Sequence, residues 1–125
     1  KRVQNFEKLK NFFSQYPSLF DLPVQQNGLR TPWLAYPVII KNKKINRQKL
    51  QIFLEKKGIQ TRTIFTGNIL RQPIMKKRKY KKVKFAEVNS NSVMKNGILI
   101  GCHHGLNNKD LKYIKNNFEI FINNI

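Results

Sequence analysis

Apolar residues recur at helical spacing near both ends of the chain. Val3, Phe6, Leu9 and Phe13 stand three or four residues apart, which predicts an amphipathic helix over about the first dozen residues, ended near Pro17. Leu111, Ile114, Phe118, Phe121, Ile122 and Ile125 repeat the pattern, and Asn107 or Asn108 is placed to cap that second helix. Between them, residues 17–32 carry Pro23, Gly28 and mixed polar positions and read as a connecting loop. Residues 33–40 form an apolar run suited to a buried strand, with charged residues 41–44 at its exit. Asn46 is placed to cap a helix over residues 47–57 whose Leu50, Phe53 and Leu54 share a face, and Gly58 to close it in the left-handed conformation. Residues 59–65 alternate like a second strand. Asn89 or Ser90 caps a short helical turn that Gly97 ends, and residues 98–100 make a brief strand. The order is helix, strand, helix, strand, short helix, strand, helix. It predicts an α+β fold, a small antiparallel or mixed sheet with helices packed on one face.

The length of 125 residues suits one domain, which on folding hides roughly 65% of the surface its unfolded chain exposes. The charge is unusual: 25 Lys and Arg face 6 Asp and Glu, for a net +19. Such a balance points toward nucleic acid or another anionic partner. Its dominance by Lys, alongside abundant Asn and Ile, also fits the background of an AT-rich genome. Cys102 is the single cysteine, so no intrachain disulfide forms and the cytoplasm is the expected compartment. No apolar run approaches the ~20 residues of a membrane span, and no membrane partner is expected. The chain opens on Lys1 inside an amphipathic pattern, as expected of a piece of something longer.

Three stretches carry candidate chemistry. In residues 58–73, GIQTRTIFTGNILRQP, the turn residues Gly67 and Asn68 precede Arg71, whose guanidinium suits a phosphate or carboxylate. The same residues also read as a plain turn beside a solvated arginine. Arg62 is equally open to a functional role or a structural ion pair. In residues 101–106, GCHHGL, two histidines follow a strand. Neighbouring side chains of an extended segment point apart and no second ligand cluster exists, so a metal site is disfavoured. Hydrogen bonding or proton transfer by His103 or His104 is the functional alternative to a histidine that merely closes a turn. Cys102 reads as a small buried hydrophobe. The third stretch, residues 75–88, holds Lys76, Lys77, Arg78, Lys79, Lys81, Lys82 and Lys84 with Tyr80 and Phe85 between them. It is either a solvated loop or a nucleic-acid-binding surface. The carboxylates Glu7, Asp21, Glu55, Glu87, Asp110 and Glu119 are scattered and offer no paired acid/base site.

Taken together, GIQTRTIFTGNILRQP and NSNSVMKNGILIGCHHGLNNKDLKYI resemble the C-terminal part of the DegT/DnrJ/StrS-type sugar aminotransferases. The likeness is greatest to the branch of nucleotide-sugar 3-dehydratases in deoxysugar and lipopolysaccharide biosynthesis. The resemblance implies a fold-type-I enzyme dependent on pyridoxal or pyridoxamine phosphate, with residues 1–16 entering from a large upstream domain and residues 17–125 as the small C-terminal domain. The cofactor and its lysine, or the histidine that replaces it in 3-dehydratases, would belong to that large domain, and the isolated chain would be inactive. Carried over by position, Asn68, Arg71, His103, His104 and Arg62 are the candidates for binding the nucleotide-sugar. A homodimer is implied for the whole enzyme, and nucleic acid becomes the less favoured partner. Between dehydratase and aminotransferase the residues present do not decide.

Overall fold

A computed structural model of the chain describes residues 1–125 except Lys82, Lys84 and Ala86. The two basic positions of that set therefore lie outside the described residues. Four helices and four strands follow in the order α1 (Arg2–Phe13), β1 (Phe20–Asp21), β2 (Ala35–Ile40), α2 (Arg47–Lys56), β3 (Thr61–Arg62), α3 (Glu87–Asn96), β4 (Gly97–Gly101) and α4 (Asn108–Asn123). Two 3-10 turns, Ile69–Arg71 and Pro73–Lys77, link β3 to α3. The strands form one open sheet in the order β1-β2-β4-β3, with every neighbouring pair antiparallel. This is the expected α+β class.

The period-two rule divides the sheet cleanly. Tyr36, Val38 and Ile40 of β2 and Ile98 and Ile100 of β4 point into the core and are buried. Ala35, Pro37, Ile39 and Leu99 point to the opposite face and are half-buried. The core face is covered by α1, α2 and α4. Phe13 stacks on Tyr36 with ring centroids 5.4 Å apart and meets Phe118 of α4 edge-on at 5.0 Å. Helices α2 and α4 meet through Phe53 and Phe121. The second face is approached by α3: a Cβ on Gly97 would lie 2.5 Å from the Val93 carbonyl and 2.8 Å from Ile64.

Local caps match their sequence signals. The Asn46 side chain accepts from Lys49 N, and Gly58 takes φ +71 while Ile59 N donates to Leu54 O, as a left-handed C-terminal cap requires. Asn107 and Asp110 form a full capping box on α4. Three features depart from expectation. The loop over residues 17–32 contains β1, where buried Phe20 pairs with Ile40; two residues give no periodicity to read. The strand expected over residues 59–65 pairs only at Thr61 and Arg62, because Phe65 turns into positive φ at 46°. Helix α3 begins at Glu87, ahead of Asn89 and Ser90.

Among the described residues, one buried side-chain polar group lacks a hydrogen-bond partner. The Tyr36 hydroxyl is buried without a hydrogen bond, and burial, then the charge of Glu7, pushes its pKa well above the ordinary tyrosine value. An orphaned buried hydroxyl is a cost rather than a contribution. Tyr36→Phe is therefore expected to leave the urea midpoint at pH 7 unchanged or raised by up to about 1 kcal/mol equivalent. A phenol whose pKa rises on folding supplies stability below its unfolded value, near 10, and loses it as pH climbs beyond. The wild type should thus lose more stability than Tyr36→Phe between neutral pH and about pH 11. Urea titrations at both values check this, and equal alkaline losses would remove the hydroxyl from the account.

Candidate functional site

Strand β3 begins only at Thr61, opposite Ile100 of β4, so the edge of β4 beyond that point is left uncovered. The start of β3 is pinned by Glu55 of α2, whose Oε1 accepts from Thr61 N at 2.6 Å and from the Thr61 hydroxyl at 3.1 Å. The gap between this pinned end, the end of β4 and the first turns of α4 is a cleft of about 400 Å³. Its apolar wall includes Ala35, Ile59, Leu99 and Ile114, and its polar groups include Gln60, Arg62, His103, Asp110 and Tyr113.

Arg62 sits on β3 opposite Leu99 and is exposed. Among the described residues it forms no ion pair, so its guanidinium is open to an external anion. His103 is held differently. Its carbonyl accepts from Asn5 Nδ2 of α1 at 2.8 Å and from Leu106 N at 3.2 Å. Its ring Nδ1 accepts from Gly105 N at 3.2 Å. A neutral imidazole that accepts at Nδ1 carries its proton on Nε2, which remains as the outward donor. Asn5 is itself buried and also reaches Leu106 O, so α1 fixes the turn that presents the histidine. His104 is exposed, does not line the cleft, and stands 6.4 Å from His103 with the rings nearly perpendicular. The two side chains diverge because the chain leaves β4 at Gly101 and turns at His104 and Gly105, not because the backbone there is extended.

Asn68 and Arg71 lie in a second place. Gly67, at φ +69, abuts Met94 of α3 so closely that a Cβ would fall 2.3 Å from the Met94 Cβ. Asn68 is 2% exposed, its Oδ1 accepts from Leu70 N, and its Nδ2 donates to Asn91 Oδ1, each at 2.9 Å. Arg71 Nε donates to the same Asn91 Oδ1 at 3.2 Å and pairs with Glu87 at 3.3 Å, while 58% of the Arg71 side chain stays exposed. Asn68 is thus a cap and a tie to α3. Arg71 is anchored through Nε with its end toward solvent. The structure therefore brings Arg62 and His103 together, groups Asn68 with Arg71 elsewhere, and leaves His104 outside both.

Asp110 and Tyr113 were absent from the sequence-based candidates. Asp110 reads locally as an N3 capping residue, and it does accept from Asn107 N at 2.8 Å. Tyr113 reads as the polar face of α4, and its hydroxyl donates to Lys57 O. Only the docking of α4 beside β4 makes either one a cleft residue. Cys102 is buried, and burial raises its thiol above the ordinary value despite the opposing charge of Arg2; it is a neutral packing group.

The fold and the paired motifs agree with what known proteins show. The family model of the DegT/DnrJ/EryC1/StrS aminotransferases matches residues 1–119, and the chain belongs to that family. It is 31% identical over 122 residues to the lipopolysaccharide biosynthesis protein RfbH of Salmonella typhimurium, covering 97% of this chain and 28% of that protein. A dTDP-4-dehydro-2,6-dideoxy-D-glucose 3-dehydratase of Saccharopolyspora spinosa is 28% identical, with 97% and 26% covered. Among solved structures, an Escherichia coli GDP-4-keto-6-deoxy-D-mannose-3-dehydratase with bound hydrated PLP superposes with a TM-score of 0.78 at 27% identity, covering 93% of this chain and 29% of that one. These similarities lie in the nucleotide-sugar 3-dehydratase branch. The chain spans only about a quarter of the length of the relatives it matches.

Proposed function

We infer that this chain is the small C-terminal domain of a nucleotide-sugar 3-dehydratase of deoxysugar or lipopolysaccharide biosynthesis, and that it helps to close the active site over the nucleotide-sugar. The carrying observation is the cleft that joins Arg62, whose guanidinium has no ion pair among the described residues, to a histidine whose tautomer is set by its own turn. A guanidinium forks onto a diphosphate with charge-assisted hydrogen bonds, and an Nε2–H donor beside it suits a second phosphate or sugar oxygen. Arg71, anchored but partly exposed, and His104 are outlying members of the same binding surface. Asn68 supports it by holding the turn before Arg71. The relatives named for dTDP- and GDP-linked substrates favour dehydratase over aminotransferase.

Pyridoxal phosphate, bound in the related dehydratase, does not fit the residues present. Among the described residues the cleft offers no lysine to hold the aldehyde as an imine, and its one histidine, His103, has Nδ1 engaged by its own turn through Gly105 N. In this reading the cofactor, as pyridoxal or pyridoxamine phosphate, is held by a large domain upstream, with residues 1–16 leading from it. The half-buried outward set Ala35, Pro37, Ile39 and Leu99 is apolar enough to pack against that domain, and a second copy of the whole enzyme completes a homodimer.

Arg62→Gln in the enzyme that carries this chain is expected to raise KM for the nucleotide-sugar by about 10- to 100-fold, the loss of one charge-assisted contact. Its urea midpoint should stay within about 0.5 kcal/mol of wild type, because the side chain is exposed. Steady-state kinetics with an unchanged KM and kcat would remove Arg62 from the binding surface.

A further inference from the structure

Among the described residues that α1 buries, Asn5 alone is polar. A buried amide costs free energy unless its hydrogen bonds are met, and Asn5 meets them outside its own helix, donating from Nδ2 to His103 O at 2.8 Å and to Leu106 O at 3.2 Å. The amide thus forks across residues 103–106. Leu106 N closes the same turn onto the His103 carbonyl at 3.2 Å, and one turn further along α1 Lys8 Nζ donates to Asn108 Oδ1 at 2.7 Å. The ring on this turn is confined at two edges. A Cβ added to Gly105 would lie 3.0 Å from Nδ1 and 3.1 Å from Cε1 of His103, and one added to Gly101 would lie 3.6 Å from Cδ2 and 3.9 Å from Nε2. Glycine at 105 leaves room for its own N–H to reach Nδ1, while the Nε2 edge lies beside Gly101, a residue of the cleft. His103 is exposed, yet both its backbone and its ring are held.

We propose that Asn5 is the positioning residue of the cleft histidine: by gripping residues 103–106 from α1, it keeps His103 in the tautomer that offers Nε2–H to a phosphate oxygen of the ligand. This role rests on the reading of the cleft as the nucleotide-sugar site. A free neutral imidazole exchanges its proton between the two ring nitrogens and turns about its side-chain bonds, and time spent in the wrong form is lost to binding. Fixing the donor before the ligand arrives removes that cost. Helix stability does not explain the amide, because Asn is a weak helix former and an aliphatic side chain of similar size would bury well beside Phe6 and Leu9. Both bonds from its Nδ2 end instead on the turn that carries His103.

The test uses the purified holoenzyme that carries this chain, with nitrogen-labelled histidine, at about pH 8.5, where ordinary imidazoles are neutral. His103 is assigned by the signals lost in His103→Ala. Long-range proton–nitrogen correlation of the wild type should show one form, protonated at Nε2, and that signal should move on titration with inorganic pyrophosphate. Asn5→Leu is expected to shift both ring nitrogens toward the average of the two tautomers and to raise the pyrophosphate dissociation constant, measured by calorimetry, about three- to tenfold. Asn5→Ala gives the same readout where leucine is not accommodated. In the His103→Ala background, Asn5→Leu should change the constant by less than about twofold, since a residue that acts through His103 has nothing left to act on. A wild-type His103 signal that pyrophosphate leaves unmoved would sink the reading of the cleft, and this role with it. Where that signal does move, an unaltered tautomer in Asn5→Leu and Asn5→Ala, or an equal loss of affinity in the His103→Ala background, would overturn the assignment of Asn5 alone.

Discussion

Phe13→Ala is expected to lower the stability of the chain by about 3–5 kcal/mol. Phe13 is fully buried, stacks on Tyr36, and meets Phe12, Phe20 and Phe118 edge-on at centroid distances of 5.0 to 5.2 Å. One ring thus joins α1, β1, β2 and α4. Removing it takes away the transfer free energy of the phenyl group and leaves a cavity, because the aromatic neighbours belong to four elements that cannot all move inward. Against a total stability of about 5–15 kcal/mol for a domain, a loss of this size leaves a large unfolded fraction at 37 °C. Urea unfolding followed by far-UV circular dichroism measures it. A loss under about 1.5 kcal/mol would show that the site collapses readily and that the cluster is looser than the ring geometry indicates.

The second large effect is expected for Gly67→Ala, at about 2–4 kcal/mol. Two independent costs add. The φ of +69 is unfavourable for any residue with a Cβ, and the added carbon would sit 2.3 Å from Met94 Cβ and 2.4 Å from Met94 Cα. Because the second contact is with the backbone of α3, trimming the neighbour does not help, and Met94→Ala should fail to rescue the variant. Relief requires the turn to lift from α3, which separates Asn68 from Asn91 and Arg71 from Glu87. Hydrogen exchange should therefore show lost protection at Leu70, whose amide bonds to Asn68 Oδ1. Full rescue by Met94→Ala would mean that the strain lies in the Met94 side chain alone.

These two positions differ in how they can be read from sequence. Phe13 belongs to a stripe at helical spacing, and its burial follows from the pattern. Gly67 looks like any turn glycine, and the reason it must be glycine lies on α3, 27 residues later. The candidate site divides in the same way. Arg62 and Arg71 are nine residues apart in one motif, yet the turn at Phe65 sends the first to the cleft and the second to α3. Asn5, whose amide holds the histidine turn from 98 residues away, carries no local signal at all.

What the amino-acid sequence determined by itself was everything governed by neighbours three or four residues apart. That covers the amphipathic helices, their Asn46 and Asn107 caps and the Gly58 stop, to which the apolar run over residues 33–40 added a buried strand. The two motifs read together also carried the family. Tertiary structure alone decided which polar groups share a cleft. Antiparallel pairing sets Thr61 against Ile100 and leaves the end of β4 bare, and the docking of α4 beside that bare edge then adds Asp110 and Tyr113 to Arg62 and His103. Pairing register and helix docking depend on contacts between residues distant in sequence. Their free energy comes from burying the whole core at once, so no local window of the chain contains it.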